Sequence, residues 1–365
     1  MKSMRVIITL MAVLGLIGCC LLSGCAAGRS DGSASESSVP AQAGTDGEVQ
    51  QASKKIFAMD TYMTITCYGD KCSEALDAAV EEVERLDALL SIGSEDSEVS
   101  LLNSQGSLQL SDDTLKIVQT AIAVSEKTGG LFDITIYPVV QLWGFTGGGE
   151  KSIPDEDSLR EELKNVGSSR LSLERDVLTL GDGQQVELGG IAKGYTSDRL
   201  MEIFEEYELV SAFVSLGGNA QIYGLKPDGT MYKCGIVDPN NAETRTSYLG
   251  TLTSRDQAVI TSGAYERCFV GEDGKTYHHI IDPRTGYPAE SGLKSVTIVA
   301  ESGILADALS TSVYIMGLDE AEEFWRNSGY EFDMILMTDD NTIYITEGIQ
   351  DNFTSKKYEV KVITE

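Results

Sequence analysis

The sequence predicts an α+β fold in which antiparallel or mixed sheets are flanked by helices. Helical patterns occur singly or in pairs between runs of short strand-like segments, unlike the regular alternation of a doubly wound parallel sheet. The glycine pairs that begin at Gly129, Gly189 and Gly217 share no fixed period, which excludes a solenoid or a propeller. The chain has 365 residues, of which 42% are apolar. This is enough for one large domain, or two moderate ones, with a buried core.

The N-terminal segment has the pattern of an export signal. Lys2 and Arg5 precede an apolar stretch, residues 6–22, which runs into Ser23-Gly24-Cys25. This order resembles the bacterial lipoprotein signal, in which cleavage leaves a cysteine to receive a lipid. We therefore expect lipidation of Cys25 and an exported protein anchored to a bacterial membrane on its periplasmic or extracellular face. A plain secretory signal and an uncleaved anchor are the alternatives.

Composition divides the chain into three parts. Residues 1–24 are the predicted signal peptide. Residues 25–52 are rich in Ser, Gly, Ala, Gln and acidic residues, cannot bury an apolar face, and are predicted to be a flexible tether behind the lipidated cysteine. Residues 53–365 have ordinary globular composition and are predicted to be the folded domain.

Helices are predicted where apolar residues recur three and four positions apart behind capping residues. In residues 73–90, Leu76, Val80 and Val83 share one face and acidic residues cover the other. A Ser-Asp-Asp start and a Gly-Gly stop bound the next helix. The predicted helices span residues 73–90, 111–127, 154–164, 191–207, 302–316 and 319–327.

Strands are predicted for short alternating segments rich in Val, Ile, Thr and Tyr. Residues 56–68 show this alternation throughout and are predicted to be one strand. The predicted strands are residues 56–68, short segments around Leu171, Leu178 and Val186, residues 212–216, 220–223, 232–237, 246–253, 258–261, 277–281 and 293–300, and the C-terminal end.

The charge balance restricts the ligands. The chain carries 57 Asp and Glu against 28 Lys and Arg, a net charge of −29. Such a surface repels nucleic acid and anionic lipid. A phosphorylated ligand would need local compensation by a metal ion or by backbone amides.

The cysteines favour no metal site. Cys67, Cys72, Cys234 and Cys268 form no CxxC pair and lie in no histidine-rich segment, which makes a structural zinc or iron–sulfur site unfavourable. Export permits disulfides, so a Cys67–Cys72 bridge stays open beside the simpler expectation that all four thiols are buried.

A glycine-rich junction is the first candidate site. Glu187 ends a strand-like segment, Gly189-Gly190 follow, and a helix begins. Amides at a helix N-terminus can bind an anion, and Lys193 is the only basic residue between Arg175 and Arg199. An ordinary strand–turn–helix joint would explain the same glycines.

A carboxylate in an apolar helix is the second candidate site. Asp307 lies in an apolar helix without a basic residue nearby in sequence, so it must reach solvent, find a distant base or bind a cation. Thr311 is one turn later on the same face. Two oxygen ligands at this spacing suit Mg²⁺, which leaves its other positions to phosphate or water. A solvated Asp with a core-packed Thr is the alternative.

The two histidines of the chain form the third candidate site. His278 and His279 are adjacent at the end of a strand, before an Asp-Pro-Arg-Thr-Gly turn. Alternation places one on each face of the strand, so one can be structural while the other serves as a base.

These residues belong to an ordered set of short segments that resembles the ApbE family of FAD:protein FMN transferases. The resemblance covers about residues 55–350 and implies that residues 53–365 are the catalytic domain. The segments are Ala58-Met59-Asp60-Thr61, Gly130-Leu131-Phe132-Asp133, Leu142-Trp143-Gly144-Phe145, residues 187–194, Ser215-Leu216-Gly217-Gly218-Asn219, Thr261-Ser262-Gly263, residues 279–286 and residues 306–311.

The resemblance implies an α+β fold with one FAD in a cleft between two halves and Mg²⁺ at its pyrophosphate. It implies transfer of FMN from FAD to a Thr or Ser hydroxyl of an exported or membrane protein through a phosphoester bond, with release of AMP. Acceptors in the family include subunits of Na⁺-translocating NADH:quinone reductases, Rnf complexes and extracellular flavoproteins. Some members hydrolyse FAD to FMN and AMP, and a non-catalytic flavin-binding lipoprotein is a further alternative.

Roles carry over by position. His279 matches the histidine proposed to deprotonate the acceptor hydroxyl. The implied metal ligands are the Gly190 carbonyl, Asp307 and Thr311. The implied FAD contacts are Met59, Leu131, Phe132, Asp133, Glu187, Lys193 and Ile281. Two positions depart from the family pattern. Asp60 replaces a glycine that we expect to lie at a strand edge, and Ser91-Ile92-Gly93-Ser94 lacks an aromatic or basic residue common in relatives.

Overall fold

The structure is a computed structural model that describes residues 38–42, 49–146 and 149–365. Its α-helices are α1 (Cys72–Leu90), α2 (Glu98–Gln105), α3 (Asp112–Lys127), α4 (Tyr137–Leu142), α5 (Glu156–Leu163), α6 (Ala192–Glu206) and α7 (Gly303–Asn327). Its first nine strands are β1 (Ser38–Gln42), β2 (Gln51–Ala58), β3 (Thr61–Tyr68), β4 (Ser107–Gln109), β5 (Ser172–Glu174), β6 (Val177–Thr179), β7 (Ser211–Leu216), β8 (Asn219–Gly224) and β9 (Tyr232–Val237). The others are β10 (Tyr248–Ser254), β11 (Ala258–Gly263), β12 (Cys268–Val270), β13 (Thr276–His278), β14 (Leu293–Ala300), β15 (Asp333–Thr338), β16 (Ile343–Thr346), β17 (Phe353–Thr354) and β18 (Val360–Ile363).

One large sheet organises the fold. Its strands lie in the order β1-β2-β3-β7-β8-β11-β14-β15-β16-β18. Neighbours are antiparallel, except that β16 and β18 are parallel. The α+β prediction with antiparallel or mixed sheets is therefore confirmed. Helices α1, α6 and α7 pack on one face of this sheet, and the small sheet β17-β10-β9 packs on the other.

Alternation along the central strands explains this layering. In β11, Ala258 and Ile260 point to the core shared with α7, whereas Val259 points to the core shared with the small sheet. In β14, Ile298 and Val299 divide in the same way. These strands are apolar on both sides because both of their faces are covered.

The prediction of one strand over residues 56–68 is wrong, because the chain reverses within it. Met59 and Asp60 form a two-residue turn with φ of 48° and 57°, and Ala58 pairs with Thr61. Such turns require positive φ at both positions and are usually marked by Asn or Gly. Alternation continues through a turn of two residues, so the pattern alone resembles a single strand.

The strand predicted around Val186 is also wrong. The Val186 N–H donates to Asn103 Oδ1 (2.7 Å), and its carbonyl accepts from Asn103 Nδ2 (2.9 Å). One side-chain amide from α2, a helix that the sequence analysis did not identify, thus satisfies the groups that a partner strand would have used.

The two helices predicted at residues 302–316 and 319–327 are one element. Helix α7 continues to Asn327 through a kink at Gly317, whose φ of 77° and ψ of −178° are not helical. The left-handed φ explains why glycine occupies this position. The predicted break is real, although it bends the helix rather than ending it.

The structure describes only part of the N-terminal region for which the sequence makes predictions. Residues 1–37, with the predicted signal peptide and Cys25, lie outside the described residues. Strand β1, within the segment predicted as a tether, pairs with β2, which begins at Gln51. No helix in the described part of the chain is long and apolar enough to cross a membrane.

The four remaining cysteines are unpaired. Cys67, Cys72 and Cys234 are buried, as predicted, and burial raises the pKa of the Cys67 thiol to about 12. Cys268 is exposed, contrary to the prediction, because it lies on the two-stranded ribbon formed by β12 and β13.

Helices α6 and α7 each supply a carboxylate to the first turn of the other. Asp307 Oδ2 on α7 accepts the N–H of Gly194 (2.8 Å). Asp198 on α6 accepts the N–H groups of Gly303 (2.6 Å) and Ile304 (2.9 Å). Negative charge at a helix N-terminus is favourable, so these bonds stabilise both helices and fix their relative position.

Gly303→Ala should lower the free energy of unfolding by about 2 kcal/mol, because overpacking a tight contact costs about 1–3 kcal/mol. An added Cβ would lie 2.6 Å from Ser197 Oγ and 2.7 Å from the Gly194 carbonyl oxygen. Urea unfolding measures this. Gly93→Ala is the control, since its nearest neighbour would be Ser91 Oγ at 3.5 Å. Equal stability of the two variants would contradict the close helix contact.

Candidate active site

A cleft of about 550 Å³ opens at the start of α6 and beside the N-terminal half of α7. Every residue to which the sequence analysis assigns a role in catalysis, FAD binding or metal binding lines it. These residues are Met59, Leu131, Phe132, Asp133, Glu187, Gly190, Lys193, His279, Ile281, Asp307 and Thr311. The fold therefore brings together five segments that are far apart in sequence, while the role of each residue stays a prediction.

Asp307 lies at the base of the cleft and is buried. Besides the Gly194 amide, its carboxylate accepts from Asn219 Nδ2 (3.0 Å), and Lys193 Nζ lies 4.0 Å from Oδ2. A carboxylate in this apolar sequence context needs solvent, a distant base or a cation, and the fold supplies the distant base, Lys193. Lys193 also donates to the Gly189 carbonyl (3.2 Å), which holds the ammonium group at the cleft wall.

The backbone amides at this helix start are less available than the sequence suggested. Gly189 N–H donates to Glu187 Oε2 (3.1 Å), and Gly194 N–H donates to Asp307. Carboxylates of the protein thus occupy two of the groups predicted to receive a phosphate. Compensation for a bound anion falls mainly to cationic side chains and to any metal ion.

The oxygen atoms around Gly190 and Thr311 form a hard donor set. A Cβ added to Gly190 would lie 3.9 Å from Thr311 Oγ1, so these two residues are close neighbours. Ser310 faces elsewhere, because its hydroxyl donates to the Asp307 carbonyl (2.8 Å) and pairs with Ser262 Oγ (2.7 Å). Within the described ranges, no group of three or more His, Cys, Asp or Glu side chains is placed to hold a metal ion. A cation here would depend on one carboxylate, neutral oxygens and its ligand.

The adjacent histidines point in opposite directions, as alternation predicted. His278 is buried, with Nε2 3.1 Å from the Ala289 carbonyl oxygen and its ring against Tyr314. His279 lines the cleft. Its Nδ1 is buried and has no hydrogen-bond partner among the described residues. His278 is therefore part of the core, and His279 is the histidine available for chemistry.

An aromatic cluster holds the segment that carries His279. Trp143 is fully buried, and its Nε1 donates to the Gly286 carbonyl (2.8 Å). Its ring packs against Tyr277 and Tyr287, with centroids 5.2 and 5.5 Å apart. The Trp143 segment and the segment from Tyr277 to Tyr287 are thus fixed to each other, and His279 lies between the two tyrosines in sequence.

Burial shifts the pKa values of several ionisable groups in the cleft, His279 and Glu187 among them. Burial lowers the pKa of His279 to about 3, and the nearby Arg267 guanidinium adds to this. Burial also raises the pKa of the Glu187 carboxyl, against the opposing effect of Arg267 and Lys193. Both shifts favour the neutral form, as expected for groups withdrawn from water. His279 is therefore neutral and able to accept a proton at neutral pH.

Asp133 lines the cleft but uses its carboxylate to shape the chain. Oδ1 accepts from the N–H and hydroxyl of Thr135 (2.8 and 2.6 Å), and Oδ2 accepts from the Ser168 N–H (2.7 Å). These bonds hold the segment that presents Leu131 and Phe132 to the cleft.

Sequence reasoning missed several residues of the cleft. Asn219, which binds Asp307, was noted only as part of a family segment. Arg267 lines the cleft and makes no ion pair within the described part of the chain, and Arg245 pairs with Glu266 (2.6 Å) at the rim. Nothing local distinguishes an Arg in a polar loop, so only the fold reveals these cations.

The two departures from the family pattern also lie at the cleft. Asp60 occupies a left-handed turn, not the strand edge that was predicted, and Asp tolerates this conformation better than most residues. Ser91 and Ile92 line the cleft near Asp87, which accepts the Met59 N–H.

Known proteins resemble this chain in sequence and in fold. The chain matches the model of the ApbE family over residues 59–336. The chain belongs to the ApbE family.

Relatives of this ApbE-family protein have named activities. The FAD:protein FMN transferase of Treponema pallidum is 32% identical over 83% of this chain and 89% of its own length. The crystal structure of the ApbE protein from Thermotoga maritima superposes with a TM-score of 0.76 at 32% identity and covers 83% of this chain and 99% of that one. The flavin transferase ApbE from Vibrio cholerae has a TM-score of 0.74 at 26% identity over 84% of this chain and 100% of that one.

His279→Gln should flatten the dependence of the free energy of unfolding on pH between 6 and 4. His279 titrates near 3 when folded and near 6.5 when unfolded. The unfolded chain therefore binds a proton in this window that the folded chain does not, and acid destabilises the fold by up to about 1.4 kcal/mol per pH unit. Urea unfolding at several pH values measures the slope. If stability changes equally with pH in His279→Gln and in the unmodified chain, His279 is not held neutral in the folded protein.

Proposed function

We propose that this protein is an FAD:protein FMN transferase, which moves FMN from FAD to a Thr or Ser hydroxyl of an acceptor protein and releases AMP. One observation carries the proposal: Lys193, His279 and the Asp307–Thr311 pair, which come from three separate segments, converge on one cleft in a chain of the ApbE family. A base, a cation and oxygen ligands together fit phosphoryl-type transfer, whereas flavin storage needs neither base nor metal.

The cleft suits FAD in size and in character. Its volume of about 550 Å³ lies within the usual range for small-molecule sites. Apolar side chains such as Leu131, Phe132 and Ile281 can contact rings, and Lys193 and Arg267 can face phosphates. Because the chain has a net charge of −29, these two cations are the natural place for the pyrophosphate.

Mg²⁺ fits the donor set at the base of the cleft. Asp307, the Thr311 hydroxyl and the Gly190 carbonyl are oxygen donors only, which is the preference of a hard cation. Thr311 Oγ1 has no hydrogen bond within the described ranges and lies beside Gly190, so it is free to coordinate. When bound, Mg²⁺ would neutralise phosphate charge near these residues.

In the proposed reaction, the acceptor hydroxyl oxygen attacks the FMN-side phosphorus of FAD. His279 takes the hydroxyl proton, a new P–O bond forms to the acceptor, and the P–O bond to AMP breaks. Lys193 stabilises charge that develops on the phosphate oxygens. The anionic phosphates of bound FAD should raise the pKa of His279 from its low value, which makes the imidazole a better base.

The cellular setting is part of the proposal. We propose that the protein is exported and attached to a bacterial membrane through Cys25, on the strength of the signal pattern in residues 1–25. Its acceptors are then exported or membrane flavoproteins, such as subunits of Rnf complexes or Na⁺-translocating NADH:quinone reductases.

The direct test mixes the full chain with FAD, Mg²⁺ and the soluble domain of the flavin-bearing subunit of an Rnf complex. An acceptor mass that rises by one FMN, with equimolar AMP, is the expected result. Equal release of AMP and FMN without acceptor would indicate an FAD pyrophosphatase instead. Intact FAD in both mixtures would leave a flavin-binding protein.

His279→Ala should lower the transfer rate by about 10²–10⁴-fold while FAD still binds, because it removes the general base. Acceptor mass against time gives the rate, and quenching of flavin fluorescence gives the affinity. His278→Gln is the matched control, since it removes an imidazole behind the strand. A nearly normal rate for His279→Ala would remove this residue from the role.

Asp307→Ala should abolish Mg²⁺-dependent transfer, with a loss of at least about a hundredfold that added Mg²⁺ does not restore. A Mg²⁺ titration of the transfer rate tests this. Asp319→Ala, an exposed carboxylate on the same helix, is the control. An unchanged metal requirement in Asp307→Ala would exclude the ligand assignment.

A further inference from the structure

Two large aromatic side chains are exposed at the tip of the β2–β3 hairpin. Phe57 is 60% exposed and Tyr62 is 81% exposed. They are cross-strand partners, and their ring centroids lie 5.1 Å apart in an edge-to-face arrangement. Aromatic residues that are exposed side by side typically mark an interaction surface, because Tyr and Phe are enriched in protein interfaces.

The face of the hairpin that carries this pair has no acidic residue. We call it the hairpin face. Alternation places on it Gln51, Ser53, Lys55 and Phe57 from β2, and Tyr62, Thr64, Thr66 and Tyr68 from β3. Its only charged residue is Lys55, although the chain has 57 acidic residues. A neutral or acidic partner can approach here without the repulsion that it meets elsewhere.

The hairpin face is continuous with the cleft. Phe57 belongs to both, since it also lines the cleft that contains His279. The Tyr62 carbonyl accepts the Gly217 N–H (3.2 Å), which joins the hairpin tip to the β7–β8 turn. Arg245 lies beside this turn and lines the cleft rim. A polypeptide lying on the hairpin face would therefore reach the cleft directly.

We propose that the hairpin face docks the acceptor protein, through a neutral or acidic segment beside the residue that receives FMN. This inference rests on the proposed function, which requires a polypeptide to enter the cleft. Phe57 and Tyr62 contact apolar atoms of that segment, and Lys55 attracts its carboxylates. The surface thereby supplies binding energy away from the reacting atoms and positions the hydroxyl.

Tyr62 is the residue with which to test this, because it does not line the cleft. In the full chain, Tyr62→Ala should raise the KM for the Rnf-subunit domain about tenfold, as for an aromatic interface residue, with kcat and the KM for FAD unchanged. Tyr62→Phe should retain most of the affinity. Initial rates of FMN transfer at varied acceptor concentration provide these values.

Val210→Ala is the matched control. Val210 is an exposed apolar residue, 49% accessible, at the opposite end of the same strands, where its N–H bonds to the Tyr68 carbonyl. Its KM for the acceptor should equal that of the unmodified chain. A docking role for Tyr62 thus requires a difference between the two variants.

Three results would overturn the inference. An unchanged acceptor KM in Tyr62→Ala would show that the acceptor binds elsewhere. If Tyr62→Ala leaves the acceptor KM unchanged but binds vesicles of phosphatidylethanolamine and phosphatidylglycerol more weakly than the unmodified chain, the hairpin face contacts the membrane instead. If the unmodified chain transfers no FMN, the proposed function fails and the inference fails with it, so the two failures are distinguishable.

Discussion

The candidate active site depends on the contact between α6 and α7, in which each helix gives a carboxylate to the first turn of the other. Asp198 binds the amides that begin α7, and Asp307 binds the Gly194 amide in the first turn of α6. The helices approach so closely that glycine is required at Gly194 and Gly303. Lys193 is on α6, and Asp307 and Thr311 are on α7. The same contact therefore sets the position of the Lys193 ammonium group relative to the oxygen atoms that we propose as metal ligands.

This arrangement also answers the charge problem of the chain. A protein with a net charge of −29 has to bind a dianionic pyrophosphate, and the amides at the start of α6 are largely used by Glu187 and Asp307. In the proposed function, the attraction comes from Lys193 and Arg267 and from the Mg²⁺ that we propose at Asp307. The same two cations, Lys193 and Arg267, help to keep His279 neutral. Lys193 and Arg267 thus affect both the binding of an anionic ligand and the strength of His279 as a base.

Much of the fold and site was predictable because the signals are local. Period and capping identify α1, α3, α5 and α6, and alternation separates His278 from His279 without any knowledge of the fold. The failures have physical causes that lie at a distance. Asn103 takes the place of a strand partner for Val186, and the Met59–Asp60 turn lacks the usual turn residues.

The same limit applies to the candidate site. Asn219, Arg245 and Arg267 reach the cleft only because the sheet order brings their loops together, and no spacing in the sequence encodes that order. For Asp307, the sequence indicates the need for a partner but not the identity of that partner. Its sequence context indicates a carboxylate in need of a partner, but the partners are residues more than eighty positions away.

The central claim is that the pyrophosphate of FAD lies between Lys193 and the Asp307–Thr311 pair, with His279 facing the FMN-side phosphorus. A crystal structure of the full chain with FAD and Mn²⁺, in which anomalous scattering locates the metal, tests it most directly. The account predicts a Mn²⁺ peak in contact with Asp307, Thr311 and a phosphate oxygen, and an open path from His279 to that phosphorus. FAD bound with its pyrophosphate away from Lys193, or Mn²⁺ bound elsewhere, would contradict the account.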